Sequence, residues 1–119
     1  MSEKRDIRVL LIEDNEEDVY LIRTILSVAE EVSITLETVA ELSLGEDALS
    51  NDEYDVVLLD LRLRDSTAVE SVKWIRDRAR RVPIVVLTAV DDRDMALQAL
   101  RDGAQDYLNK SSLEGEVLL

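Results

Sequence analysis

Five polar residues stand where apolar runs of the chain end, and their types suit one kind of chemistry. Glu13 and Asp14 follow the run that ends at Ile12, Asp60 closes the run from Val56, Thr88 closes the run from Ile84, and Lys110 follows a weaker stretch ending at Asn109. Carboxylates gathered in one place repel one another and raise each other's pKa unless something positive sits among them. A divalent cation is the simplest remedy. The chain has no Cys and no His, so its site ligands are oxygens, which favours a hard cation, and Mg²⁺ suits a site with few carboxylates and several retained waters. Such an ion usually brings phosphate oxygens with it. Lys110 supplies a point charge and Thr88 a hydroxyl donor for those oxygens, while a carboxylate beside the metal can attack phosphorus to form an acyl phosphate. Each residue also has a plainer role: an acidic pair ahead of a helix caps it, an Asp after a strand caps a turn, a Thr at a strand end satisfies backbone groups, and a Lys before a helix is solvated. Coincidence favours the chemistry, because four separate strand ends each carry one member of a working set.

The elements that must position this set alternate along the chain. Residues 7–12, 54–60 and 83–88 are nearly continuous apolar runs, as expected of strands buried on both faces of a parallel sheet. Residues 32–39 alternate polar and apolar, as a strand with one wetter side does, and residues 104–109 are the fifth and weakest candidate. Helical patterns fill the gaps. Asn15 is placed to cap residues 16–30, Ser43 with Glu46 and Thr67 with Glu70 have capping-box spacing, and Asp91 and Ser111 with Glu114 open the last two helices. Pro83 and Gly103 punctuate two returns to strand. Strict alternation of this kind predicts an α/β fold, a doubly wound parallel five-stranded sheet whose ligand crevice lies at the C-terminal strand ends.

Composition narrows the partners. The 119 residues carry 14 Lys+Arg against 27 Asp+Glu, a net charge of −13, which repels phosphate backbones and argues against direct contact with nucleic acid. The basic run Arg76, Arg78, Arg80, Arg81 falls at the end of a predicted helix, where cations complement the helix dipole. The longest apolar run, Val9 to Ile12, is far short of the roughly 20 residues that span a bilayer. No membrane contact and a cytoplasmic location are therefore expected, since the first residues also lack an apolar signal region.

Four stretches, taken in order, carry a family likeness: Leu11-Ile12-Glu13-Asp14-Asn15, Asp55-Val56-Val57-Leu58-Leu59-Asp60, Ile84-Val85-Val86-Leu87-Thr88-Ala89 and Gly103-Ala104-Gln105-Asp106-Tyr107-Leu108-Asn109-Lys110. In these motifs the chain, from about Ile7 to Leu119, resembles the receiver domain of two-component response regulators. The resemblance implies a (βα)₅ flavodoxin-like fold with strand order 2-1-3-4-5. It implies that Asp60 accepts a phosphoryl group from a phosphohistidine of a sensor histidine kinase or phosphotransfer protein, in a domain that promotes its own phosphorylation and dephosphorylation. Asp14 and Asp60 would bind Mg²⁺ directly, Glu13 through a metal-bound water, and the main-chain carbonyl of Arg62 would be a further ligand. Thr88 and Lys110 would hold phosphoryl oxygens, with Tyr107 as the aromatic switch that turns inward when Thr88 moves. The chain departs from the family pattern at Arg64 and Ala68, where receivers commonly have Pro and Gly, and at Lys110-Ser111 in place of Lys-Pro.

Other classes fit less well. A haloacid-dehalogenase-type phosphatase needs Asp-x-Asp, and Asp60-Leu61-Arg62 lacks the second acid. A flavodoxin-like carrier wants a phosphate loop after its first strand, where Glu13-Asp14-Asn15-Glu16-Glu17-Asp18 repels phosphate. A receiver-like interaction module working without phosphorylation is the alternative kept. Because residues 114–119 stop among apolar residues with no cap, the chain is read as one receiver domain from the N-terminal part of a longer protein. Helical periodicity turns Met95 and Trp74 toward solvent, and the resemblance to receivers implies a phosphorylation-dependent homodimer through the fourth helix, fifth strand and fifth helix.

Overall fold

The structure is a computed structural model that describes residues 5–63, 68–79, 81–89 and 92–113. Five strands alternate with helices: β1 (Arg5–Ile12), α1 (Glu16–Ser27), β2 (Val32–Val39), α2 (Leu42–Asn51), β3 (Val56–Asp60), α3 (Ala68–Arg78), β4 (Ile84–Thr88), α4 (Arg93–Arg101) and β5 (Asp106–Asn109). Helical backbone resumes at residues 110–113. All neighbouring strands are parallel, in the order β2-β1-β3-β4-β5, so the expected flavodoxin-like topology is the one formed.

The apolar runs form strands because both faces of the sheet are covered. On one face Leu10, Ile12, Val57, Leu59, Ile84 and Val86 pack with Leu42 of α2, Val72 and Ile75 of α3 and Ala99 of α4. On the other, Val9, Leu11, Leu58 and Leu87 pack with Ile22 of α1, and Leu113 joins them. Alternate residues of each strand thus feed two cores. Gly45 lets α2 lie close on β1, since a Cβ there would come within 2.6 Å of the Ile12 side chain. Gly103 turns the chain out of α4 with φ +117°, a region that disfavours side chains.

Several helix starts differ from the sequence reading. Asn15 does cap α1, accepting the N–H groups of Glu17 at 2.9 Å and Asp18 at 3.1 Å, but α1 ends at Ser27 rather than residue 30. The Ser43 capping box does not form. The helix begins two residues earlier, Glu41 occupies the cap position without capping a helix N–H through its side chain, and Ser43 Oγ instead donates to Glu41 Oε2 at 3.4 Å. Asp92 stands at the start of α4 where Asp91 had been expected. The final helix is begun by Asn109, whose side chain accepts the Ser111 N–H at 2.8 Å. Arg64, Thr67, Arg80, Asp91 and Glu114, on which other expectations rested, lie outside the described residues.

Two exposure expectations fail. Met95 and Trp74 are half-buried, and both pack against the core shared by α2, α3 and α4. In α4 the sheet-facing pair is the small Ala96 and Ala99, so Met95 fills the flank while Leu97 points out at 41% exposure. In α3 Ser71, Val72 and Ile75 face inward, and the Trp74 ring at their flank is covered by the Arg78 guanidinium, 3.9 Å from the ring centroid.

Candidate functional site

The hydrogen-bond ladder of the sheet carries acids to its C-terminal edge. β1 ends at Ile12, yet the Glu13 N–H still donates to Val39 O at 2.9 Å, which fixes the first residue beyond the strand. Strand alternation puts Glu13 on the side of Leu11 and Asp60 on the side of Leu58, the face that α1 covers. Ligand oxygens of Glu13, Asp14 and Asp60 lie within 4.8 Å of one another. Glu13 and Asp60 are buried, at 2% and 4% exposure, and Asp14 is half-buried.

Lys110 enters this group from the end of β5. Its Nζ lies 2.9 Å from Glu13 Oε2, 3.3 Å from Asp60 Oδ1 and 2.7 Å from Asp18 Oδ2. Burial alone would lower the Lys110 pKa, but hydrogen bonding to Asp18 and Glu13 and the charge of Asp60 outweigh it and hold the ammonium above its usual range. Glu13 goes the other way for a carboxyl, pushed up to about 8, first by burial and then by Asp60, with Lys110 opposing. Its Oε1 accepts the Asn15 N–H at 3.2 Å, and the buried Oε2 is ion-paired with Lys110 at 2.9 Å. One lysine thus serves more negative charge than it can satisfy. Three clustered carboxylates that share one ammonium fit a hard divalent cation.

The remaining expected residues are spread around this group. The Arg62 N–H donates to Asp60 Oδ1 at 3.2 Å, so its backbone is held beside the acid. Thr88, 3% exposed, donates from Oγ1 to Leu108 O at 3.4 Å and ties β4 to β5. Tyr107 is 42% exposed on β5. Among the described residues every peptide bond is trans, Lys110-Ser111 included. Sequence reasoning missed two participants. Asp18 lies in the first turn of α1, whereas Asp14 precedes the Asn15 cap, so no helical spacing links the two. Asp92 pairs with the Arg62 side chain across 30 positions, and no local pattern signals it.

Chemistry and cavity size part company here. A cleft of ≈310 Å³ borders Glu13 and Asp14 between Glu16, Val19 and Thr38, but a larger one of ≈620 Å³ opens at the opposite edge, between Leu49, Tyr54, Asp77 and Pro83. None of the clustered acids lines the larger cleft.

A family model for the response regulator receiver domain matches residues 9–118. The transcriptional regulatory protein QseB of Haemophilus influenzae is 33% identical over 112 residues, 93% of this chain and 49% of QseB. The response regulator protein PilR of Pseudomonas aeruginosa is 31% identical over 101 residues, 84% of this chain and 22% of PilR. The chain spans about half the length or less of these curated relatives. Among solved structures, the Mn(2+)-bound form of response regulator Rcp1 superposes with TM-score 0.77 at 20% identity, covering 92% of this chain and 90% of Rcp1.

Proposed function

This chain belongs to the receiver-domain family of two-component response regulators, and on that premise we propose that Asp60 accepts a phosphoryl group from a phosphohistidine of a sensor kinase or phosphotransfer protein. The observation that carries the reading is the single ammonium of Lys110 held between Glu13 and Asp60, two buried acids that must share it. In the transfer an Asp60 oxygen bonds to phosphorus, the P–N bond breaks, and its electron pair leaves with the imidazole. Asp14 and Asp60 would hold Mg²⁺ directly, with the Arg62 carbonyl as a further ligand and Glu13 acting through water. Such an ion would supply positive charge to offset the acids and the phosphoryl oxygens. The metal-bound form of a structural neighbour supports that choice of ligand class.

The chain's own groups do the rest. The Arg62 N–H and Lys110 fix Asp60 Oδ1. Lys110 then turns to a phosphoryl oxygen, which adds the negative charge its pKa is set to meet. Thr88 gives up Leu108 O to donate to another oxygen, and Tyr107 moves into the space left behind. The exposed Leu97, Tyr107 and Leu108 lie along α4 and β5 and suit a homodimer contact in the phosphorylated state. No helix among the described residues is long and apolar enough to cross a membrane, and with an acidic surface the domain acts in the cytoplasm, away from nucleic acid, upstream of an output module.

Incubation with Mg²⁺ and a small-molecule phosphodonor tests this. The expected result is an acid-stable, hydroxylamine-labile mass gain of one phosphoryl group that Asp60→Asn abolishes. No gain in the wild type, or a gain that persists in Asp60→Asn, would favour the interaction module that works without phosphorylation or place the acceptor elsewhere.

A further inference from the structure

Two residues beyond Asp60, the side chain of Arg62 reaches across to the start of α4. Its Nε lies 2.8 Å from Asp92 Oδ2, and a second guanidinium nitrogen bonds Asp92 Oδ1. This is the two-pronged pairing that gives Arg and carboxylate both strength and direction. The partners differ in exposure, 57% for the Arg62 side chain and 2% for that of Asp92. Asp92 is also knotted into the backbone around it. Its Oδ2 accepts the Ala89 N–H at 3.4 Å, its own N–H donates to Ala89 O at 3.1 Å, and its carbonyl receives the Ala96 N–H at 2.9 Å. One buried carboxylate therefore joins the loop after Asp60, the residue after Thr88 and the first turn of α4.

We propose that the Arg62–Asp92 pair is a latch set against activation: Asp92 is a positioning residue that, with Arg62, holds Ala89 and the first turn of α4 in their unphosphorylated positions. The proposal rests on the reading of Asp60 as phosphoacceptor. Two forces of the same sign then open the latch. A phosphoryl group on Asp60 brings close to two negative charges within two residues of Arg62, and these compete with Asp92 for its guanidinium. Thr88, turning from Leu108 O toward a phosphoryl oxygen, draws along Ala89, whose N–H is bonded to Asp92. Once Arg62 lets go, a carboxylate left at 2% exposure without its cation is strongly disfavoured, so the start of α4 shifts to bring Asp92 to water. A charge change at Asp60 thereby becomes a displacement of α4, the element that carries exposed Leu97.

The test compares wild type, Arg62→Gln, Arg62→Lys, Asp92→Asn and the double variant Arg62→Gln/Asp92→Asn. Each is titrated with trifluoroberyllate in the presence of Mg²⁺ to mimic the aspartyl phosphate, and the Ala89 and Ala96 amide signals are followed by NMR. The two single Gln and Asn variants should start nearer the loaded position than wild type and bind the mimic tighter, on the order of 5-fold or more. Arg62→Lys should fall between them and wild type, and the double variant should gain no more than either single one. Mere loss of stability would weaken binding, so the direction separates a latch from damage. Variants that start and bind like wild type, or single effects that add in the double variant, would overturn the latch. No saturable response in wild type itself would instead sink the acceptor reading beneath it. Should Asp92→Asn fail to fold, Arg62→Gln, altered at an exposed side chain, still decides.

Discussion

Each end of the sheet gathers acids around one cation, and the two ends resolve the resulting charge in opposite ways. Near the start of β3, Arg8 pairs with Glu37 at 3.0 Å and Asp52 at 3.1 Å, its guanidinium lies 4.9 Å from the centroid of the Tyr54 ring, and its N–H donates to Asp55 at 2.8 Å. Tyr54 in turn donates its hydroxyl to Glu37. The Arg8 fork meets its partners on different nitrogens, in a partly solvated setting that screens what charge remains. At the C-terminal edge a compact ammonium is shared by Glu13, Asp18 and Asp60, the first and last of them buried. A settled cluster and an unsettled one can thus have similar composition. Buried acids sharing one ammonium mark the one that awaits a ligand, whereas the larger cleft lies beside the settled one.

The contrast can be broken most forcefully by metal titration. Asp14→Ala should weaken Mg²⁺ binding by about 10-fold or more, and Glu13→Ala by less, since a ligand acting through water is easier to replace. Arg8→Ala should leave the titration unchanged. Equal curves for wild type and Asp14→Ala would dissolve the distinction between the two ends.

Removal of each cation comes next. Lys110→Met leaves buried carboxylates facing one another, and urea unfolding without metal should show a loss of about 3 kcal/mol. Added Mg²⁺ should recover part of it. Arg8→Met should cost much less, because its acids can turn to water, and Mg²⁺ should recover none.

The smallest effects sharpen the contrast through pH. Glu13 has its pKa raised from 4.5 to about 8 by burial and by Asp60, with Lys110 opposing. In the metal-free protein its contribution is fully present below pH 4.5 and is lost as pH rises through about 8. Unfolding midpoints of Glu13→Gln should lack that slope. Tyr54 is raised from 10.0 to about 12, by burial and then by its bond to Glu37, so its contribution persists to pH 10 and fades as pH passes about 12. Tyr54→Phe, followed by the same unfolding measurement, should remove only that alkaline loss.

The sheet and its edge were legible because long-range burial writes itself locally, as apolar runs that stop at Ile12, Asp60 and Thr88. Glu13, Asp14, Asp60 and Lys110 were found for the same reason. Helix phase was harder. Nine residues of α4 make only two and a half turns, so a small error of phase sufficed to turn Met95 outward, whereas it fills the flank beside the tight contacts of Ala96 and Ala99. Trp74 was misjudged because a ring that long reaches back to the core from the flank of its helix and takes Arg78 as its cover. Ser43 has the residue type of a cap, yet α2 starts at Leu42 with Glu41 as its cap, which leaves Ser43 two positions too late. Charge pairs between distant positions, Arg62 with Asp92 and Lys110 with Asp18, leave no mark on their neighbours in sequence.

The last of these pairs bears on how the chain folds as it is made. Lys110 and Asp18 are 92 positions apart, and β1 lies between β2 and β3, so the first three strands and α1 can condense while later residues are still being added. Glu13, Asp14, Asp18 and Asp60 come together in that early half. Their counter-charge arrives only with β5, at the far end of a long loop closure. Chain order therefore places the repelling acids first and their internal cation last, so the charge balance of the site is completed only when position 110 joins the sheet.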